Sequence, residues 1–164
     1  MVDFTNLIKV NEVKLYKVAK AILTNEDDVC DALQEAYLSA YSNLNTLKNE
    51  KYFVTWITRI LINQCYSIIS KNRIHSIKIT KAQSQLTYTE ETEFEDIIDN
   101  QIVQKALDLL DEDLRLIAVM YYYNDMSVKD ISKTVNIPAG TVKSRLKRAR
   151  DRLYDILKQM EVGI

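Results

Sequence analysis

This chain is short of the residues that make turns, cross-links and metal sites. Of its 164 residues only two are Gly and one is Pro. Gly supplies positive φ and Pro pre-sets turn geometry, so folds with many tight turns use more of both. That disfavours a β-sandwich or β-barrel and favours an all-α protein. The two cysteines, Cys30 and Cys65, stand far apart with no Cys-x-x-Cys partner, and read as reduced, packed thiols. His75 is the single histidine, with no cysteine near it, and cannot build a zinc site. No nucleophile–base–acid set can be read, and two distant glycines make neither phosphate-binding loop. The expectation is no cofactor, no metal, no small-molecule substrate and no enzyme chemistry. No apolar run reaches the roughly 18 residues of a membrane span. The opening stretch MVDFTNLIKV has an early acid and no long apolar segment, unlike a signal peptide. A cytoplasmic protein is expected. Charge of one sign is lacking too: 22 Lys+Arg face 23 Asp+Glu, for a net charge of −1. A chain that grips nucleic acid with its whole surface is usually basic, so the total argues against DNA binding.

What is present is helical periodicity. Ile8, Leu15, Tyr16, Ala19, Ile22 and Leu23 recur at helical spacing over residues 8–23. Thr24 to Asp28 reads as a break and restart, with Asn25 as an N-cap and acids behind it that suit the positive helix end. A second helix runs to about Leu44, Asn45 to Glu50 reads as a loop, and a third helix spans about Tyr52 to Lys71. Residues 76–95 hold no sustained period and are rich in Ser, Thr, Gln and Glu, the composition of a tether. Helicity resumes near Asp96. The predicted architecture is two small helical domains, residues 1–75 and 96–164, joined by a linker over 76–95.

The charge is unevenly spread over these parts. Residues 1–75 hold 9 cations and 8 acids, residues 76–100 hold 2 and 6, and residues 101–164 hold 11 and 9. Residues 143–152 alone hold six cations and one acid.

That basic cluster lies in a recognisable pattern. Ser127-Val128-Lys129-Asp130 has the shape of a capping box. A short helix follows, then Asn136-Ile137-Pro138-Ala139-Gly140 as a turn, then a second helix: a helix-turn-helix signature. Projected at about 100° per residue, Val142, Leu146, Ala149 and Leu153 form the core stripe. Ser144 and Lys147 point away, flanked by Lys143 and Arg148, while Arg145 and Arg152 border one edge of the stripe and Arg150 the other. Central side chains of such a face reach base edges, and flanking cations hold phosphates. A merely solvated basic face is the plainer alternative, and the helix and turn in front of it count against that.

AGTVKSRLKRARDRL, preceded by MSVKDISKTVNIP, resembles region 4 of the extracytoplasmic-function (ECF) class of sigma-70-family factors. LDLLDEDLRLIAVMYYYNDMS resembles the first helices of that region. The resemblance implies a domain that reads the promoter −35 element and meets the flap of the RNA polymerase β subunit. It places Gly140, Thr141, Lys143, Ser144, Lys147 and Arg148 on the −35-contacting turn and helix, and Arg145 is grouped with them.

The N-terminal half fits the same family. The second helix has a core stripe of Val29, Ala32, Leu33, Ala36, Ala40 and Leu44, and an opposite face of Asp31, Gln34, Glu35, Leu38 and Ser42. On pattern alone that face is either a solvated surface with a stray leucine or a protein-docking patch. Asp31-Ala32-Leu33-Gln34-Glu35-Ala36-Tyr37 is similar to the DxxQExF motif of sigma region 2.2, which implies docking on the β′ clamp helices by Asp31, Gln34 and Glu35; Leu38 of the same face is grouped with them. Cys30 stands where the family often has an acid, and Tyr41 where it often has Trp. The stretch YFVTWITRILINQCYSIISKNR resembles regions 2.3 and 2.4 through Phe53, Thr55, Trp56, Ile57, Arg59, Ile60 and Asn63. Its polar stripe is Thr55, Arg59, Asn63, Tyr66, Ser70 and Arg73. Rings stack on bases, cations follow phosphates and an amide reads a base edge. The resemblance implies that this helix and the loop from Asn45 to Lys51 take an unpaired −10 base, with Asn63 at a base-contacting position; Arg59, Tyr66 and Arg73 of the stripe are grouped with it. Trp56 reads as packing rather than a DNA contact.

The resemblance therefore implies an alternative sigma factor with core polymerase, promoter DNA and a membrane-bound anti-sigma factor as partners. No room is left for an acidic N-terminal region or a region 3. Glu90, Glu91, Glu93 and Glu95 fall in the linker, where two readings stand: a solvated tether, or acids that mimic RNA phosphates in the exit path. Within the class, the lysozyme- and envelope-stress type is a candidate relative that no residue selects. The competing class is a stand-alone helix-turn-helix regulator that binds DNA without polymerase.

Overall fold

The computed structural model describes residues 3–79 and 101–162. It divides into two compact units, Met1–Thr89 and Glu90–Ile164. All regular structure among the described residues is helical, as the scarcity of turn formers predicts. No helix there is long and apolar enough to cross a membrane.

In the first unit α1 spans Phe4–Ile22, α2 Glu26–Ser42 and α3 Phe53–Ile79. α1 begins four residues before the apolar period does, because Asp3 caps it: its carboxylate accepts from the Asn6 amide at 3.1 Å. Asn25 caps α2 as its residue type predicts, accepting from the Asp27 and Asp28 amides at 2.8 and 3.3 Å. α2 stops at Ser42, since Asn43 turns its side-chain amide back onto the Ser39 carbonyl at 2.8 Å. The segment expected as a plain loop forms two 3-10 turns, Leu44–Thr46 and Glu50–Tyr52. α3 runs past Lys71 and takes in residues 76–79, which the sequence reading gives to the tether. No Gly or Pro interrupts that stretch, and the Ser76 hydroxyl donates to the Asn72 carbonyl at 2.9 Å, one turn back. The remaining linker residues, including Glu90, Glu91, Glu93 and Glu95, lie outside the described residues.

The three helices share one core of Leu15, Val18, Ala19, Val29, Ala32, Ala36, Ala40, Phe53, Ile57, Leu61 and Cys65, each at most 1 % exposed. Every fully buried side chain of α2 is Val or Ala, so its backbone lies close to its neighbours. Larger residues from α1 and α3 fill the remaining space, as dense interior packing requires. Leu33, expected in the core stripe, is half-buried. Burial pushes the Cys65 thiol up to about 12. Cys30 is exposed.

The second unit holds α4 (Gln101–Asp108), α5 (Glu112–Tyr122), α6 (Val128–Val135) and α7 (Ala139–Val162). Leu107, Leu110, Leu114, Ala118 and Ala149 form a buried cluster, with Val103, Tyr123, Leu153 and Ile156 packed around it. Ser127 caps α6 by accepting from the Asp130 amide at 3.1 Å. It is half of a capping box only: the Asp130 carboxylate accepts from the Ser127 hydroxyl at 2.7 Å instead of reaching the backbone. α6 ends on Asn136 in the left-handed region, φ 54°, a conformation Asn tolerates better than most residues. The turn is shorter than the five residues expected. Pro138 gives its carbonyl to the Val142 amide at 3.1 Å, so Ala139 and Gly140 are already helical. Proline suits that place because helix starts leave amide donors unused.

Candidate nucleic-acid interface

The outer face of α7 follows from its buried one. Val142 and Ala149 are fully buried and Leu146 nearly so, while Leu153 is half-buried at the edge of the cluster. With that stripe fixed inward, Lys143, Ser144, Lys147 and Arg148 are exposed together, and Arg150 and Arg152 are exposed beside them. The Ser144 hydroxyl donates to the Thr141 carbonyl at 2.9 Å, so its oxygen remains available as an acceptor. Thr141 is half-buried.

Arg145 differs from the other cations of this helix. Its guanidinium lies 2.8 Å from the Asp113 carboxylate in the first turn of α5, and its side chain is 25 % exposed. The structure ties it to its own domain, a contact that sequence reasoning missed. The signals were an acid near a helix start and an arginine bordering a core stripe, but nothing in the sequence says that the two meet.

Gly140 is exposed in the first turn of α7 with an ordinary φ, and a Cβ built there meets no atom within 4 Å. The domain therefore has no internal use for glycine at this position. A helical Gly is about 0.5–1 kcal/mol worse than Ala.

In the first unit, the outward stripe of α3 presents Arg59, Asn63, Tyr66, Ser70 and Arg73 as exposed residues, with Thr55 half-buried at its start. The Tyr66 ring is 42 % exposed. The stripe stands as its spacing predicts. The segment from Asn43 to Tyr52 enters α3 at its first residue. Within it Asn49 caps the second turn, accepting from the Lys51 amide at 3.0 Å, and the Lys51 ammonium sits 4.8 Å above the exposed Tyr52 ring. Trp56 is half-buried with its ring 6.1 Å from that of Phe53, in keeping with packing.

On α2, Asp31, Gln34, Glu35 and Leu38 are exposed, Leu38 at 64 %. Asp31, Gln34 and Glu35 line a groove of about 360 Å³ between α2 and α3, completed by Asp28, Gln64, Ile68, Lys71 and Asn72. The Asn72 side chain donates to the Asp28 carboxylate at 3.0 Å and bridges the two helices. The α3 members of this groove went unread in the sequence because they lie opposite the stripe that looked functional. Tyr37, in the same motif, points inward: burial, with help from the Glu12 carboxylate, pushes its hydroxyl up to about 12. Among the described residues no group of three His, Cys, Asp or Glu is placed to hold a metal ion.

The described residues form a two-domain helical protein in which a helix-turn-helix on one unit is accompanied by an exposed polar helix face on the other. Residues 7–74 match the family described as sigma-70 region 2, and residues 100–153 match sigma-70, region 4. The chain is 27 % identical over 169 residues to the ECF RNA polymerase sigma factor SigW of Bacillus subtilis, covering 96 % of this chain and 90 % of that one. It is 28 % identical over 137 residues to the ECF RNA polymerase sigma-E factor of Escherichia coli, covering 77 % and 72 %. In fold it is similar to the sigma factor RpoE of Bartonella quintana, solved with the anti-sigma factor NepR, at a TM-score of 0.78, 24 % identity and coverage of 95 % and 97 %. It is also similar to CnrH, solved with the cytosolic domain of CnrY, at a TM-score of 0.63, 20 % identity and coverage of 95 % and 88 %. The chain belongs to the sigma-70 family, as an alternative sigma factor of its extracytoplasmic-function class.

Proposed function

We propose that this sigma factor divides promoter recognition between its two units as follows. Asp31, Gln34, Glu35 and Leu38 dock α2 on the β′ clamp helices of core RNA polymerase. Arg59, Asn63, Tyr66 and Arg73, with the segment 43–52, take an unpaired −10 base. Gly140, Thr141, Lys143, Ser144, Lys147 and Arg148 read the −35 duplex, while α4 and α5 face the β flap. Arg145 takes a lesser part, held by Asp113. Melting follows from capture: binding of an extruded base offsets the stacking it loses. The chain then acts without catalysing a reaction, in the cytoplasm where polymerase and promoter are.

One observation supports this reading above the others. The first unit has two outward faces of different chemistry, an acidic, amide-bearing groove on α2 and a stripe of cations, amide and ring on α3. A stand-alone helix-turn-helix regulator has no use for either. An anti-sigma factor that covers these faces is the expected inhibitory partner. The solved relatives' complexes support that expectation, and the sequence reading makes the partner membrane-bound.

The test is capture of core RNA polymerase by the purified chain, followed by run-off transcription. Core binding that falls at least tenfold in the Asp31→Ala/Gln34→Ala/Glu35→Ala variant, with DNA binding by α7 retained, supports the division. Palindromic DNA binding without any affinity for core would overturn it.

A further inference from the structure

Phe4 is the first residue of α1, fixed by the Asp3 cap. Its ring meets the Tyr41 ring edge-on at 5.5 Å and 65°, and the Phe53 ring at 6.1 Å and 82°. Tyr41 stands next to the end of α2, and Phe53 opens α3. One side chain from a distant part of the sequence thus touches both stems of the segment 43–52.

The hydrogen bonds of that segment are short in range. Thr46 donates to the Asn43 carbonyl, Leu47 to Leu44, Tyr52 to Asn49, and Lys51 to the Asn49 side chain, at 2.9 to 3.1 Å. Asn43 also donates to the Ser39 and Ala40 carbonyls of α2, and the Phe53 amide donates to the Glu50 carbonyl; these bonds hold each end of the segment to its own helix, and none of them crosses from one stem to the other. Phe53 is buried at 1 % exposure, whereas Tyr41 is 67 % exposed. The stems already share a core through Ala40 and Phe53, and the Phe4 ring adds a link between the exposed Tyr41 ring and the buried Phe53 ring. Edge-to-face ring pairs have a preferred geometry, so a single ring shared by two stems resists their moving apart.

We propose that Phe4 is a positioning residue for base capture: shared between Tyr41 and Phe53, it sets the stance of the segment 43–52 at the start of α3. This rests on the reading of that segment as the −10 capture loop, and the experiment separates the two. Holoenzyme reconstituted from core polymerase and the full chain selects from a fork-junction DNA library randomised across the unpaired −10 strand. The wild-type chain enriches one base at the captured position. Phe4→Ala and Phe4→Leu lower that enrichment about tenfold, with core affinity and −35 duplex binding unchanged. Phe4→Tyr restores it, because the ring is retained. A thermal melt of each variant identifies loss of fold, and Phe4→Leu keeps the apolar bulk should Phe4→Ala unfold. A folded Phe4→Leu chain with the wild-type enrichment profile overturns the proposal. A wild-type holoenzyme without base preference on the unpaired strand overturns the capture reading itself.

Discussion

The outer faces of α7 and α3 differ in composition, and under the proposed division each meets a different form of DNA. α7 exposes Lys143, Lys147 and Arg148 around Ser144, inside a ten-residue stretch with six cations and one acid. α3 exposes only Arg59 and Arg73 on a stripe otherwise made of Asn63, Tyr66 and Ser70. A closed duplex presents a dense row of phosphates, and neutralising them dominates affinity. An unpaired strand presents ring faces and free base edges, which a tyrosine and an amide address without much charge. The nearly neutral total of −1 hides this contrast: residues 143–152 carry +5 and the rest of the chain −6.

If the division is right, salt separates the helices most sharply. The Lys143→Ala/Arg148→Ala variant should lose about 30- to 1,000-fold in −35 duplex binding at moderate salt, and its log–log salt slope should fall by about two, close to one for each phosphate contact. Fluorescence anisotropy at several salt concentrations measures both. An unchanged slope would mean that α7 does not face the phosphates.

Asn63→Ala is the counterpart on α3, and its expected effect is smaller. One lost base contact costs about 1–3 kcal/mol, or roughly five- to 150-fold, and should appear in open-complex formation, not in closed-complex affinity. Permanganate footprinting of unpaired thymines reads it directly. A template melted beforehand should not rescue the variant, since capture of the unpaired base is the lost step. Full rescue would assign Asn63 to strand opening alone.

The same contrast explains what the sequence could tell. The face of α7 was legible because a helix with a strict apolar stripe has only one possible outside. The stripe of α3 was legible for the same reason, as was the Asn25 cap. Contacts that join distant positions were not. Arg145 and Asp113 lie on different helices, and no periodicity links them. Phe4 joins the loop stems across nearly fifty residues. The five-residue turn was overestimated because Pro138 and Gly140 both look like turn formers, whereas here they sit at the cap and first turn of a helix. The end of α3 at Ile79 was missed because polar residues suggest a tether even where nothing breaks the helix.

Gly140 sets stability against binding at one residue. With open space around its missing Cβ, Gly140→Ala should stabilise the second unit by about 0.5–1 kcal/mol. If duplex DNA approaches the backbone there, the same methyl should weaken −35 binding about tenfold. A raised melting temperature with weaker binding is the expected pair of outcomes. A raised melting temperature with unchanged binding would remove Gly140 from the interface.

The smallest expected effect tests the odd cation of α7. The pair between Arg145 and Asp113 is partly exposed, with side chains 25 % and 62 % accessible, and such pairs contribute about 0–1 kcal/mol. Asp113→Asn should therefore lower the melting temperature by no more than about 4–8 °C, the shift that 1 kcal/mol produces in a domain of this size. Arg145 borders the core stripe and turns toward α5, so releasing it should leave the −35 salt slope where it was. A slope steeper by about one would show that Asp113 withholds a guanidinium from a phosphate. Arg145 would then rank with Lys143 and Arg148, and the basic face would be one residue wider than the free domain displays.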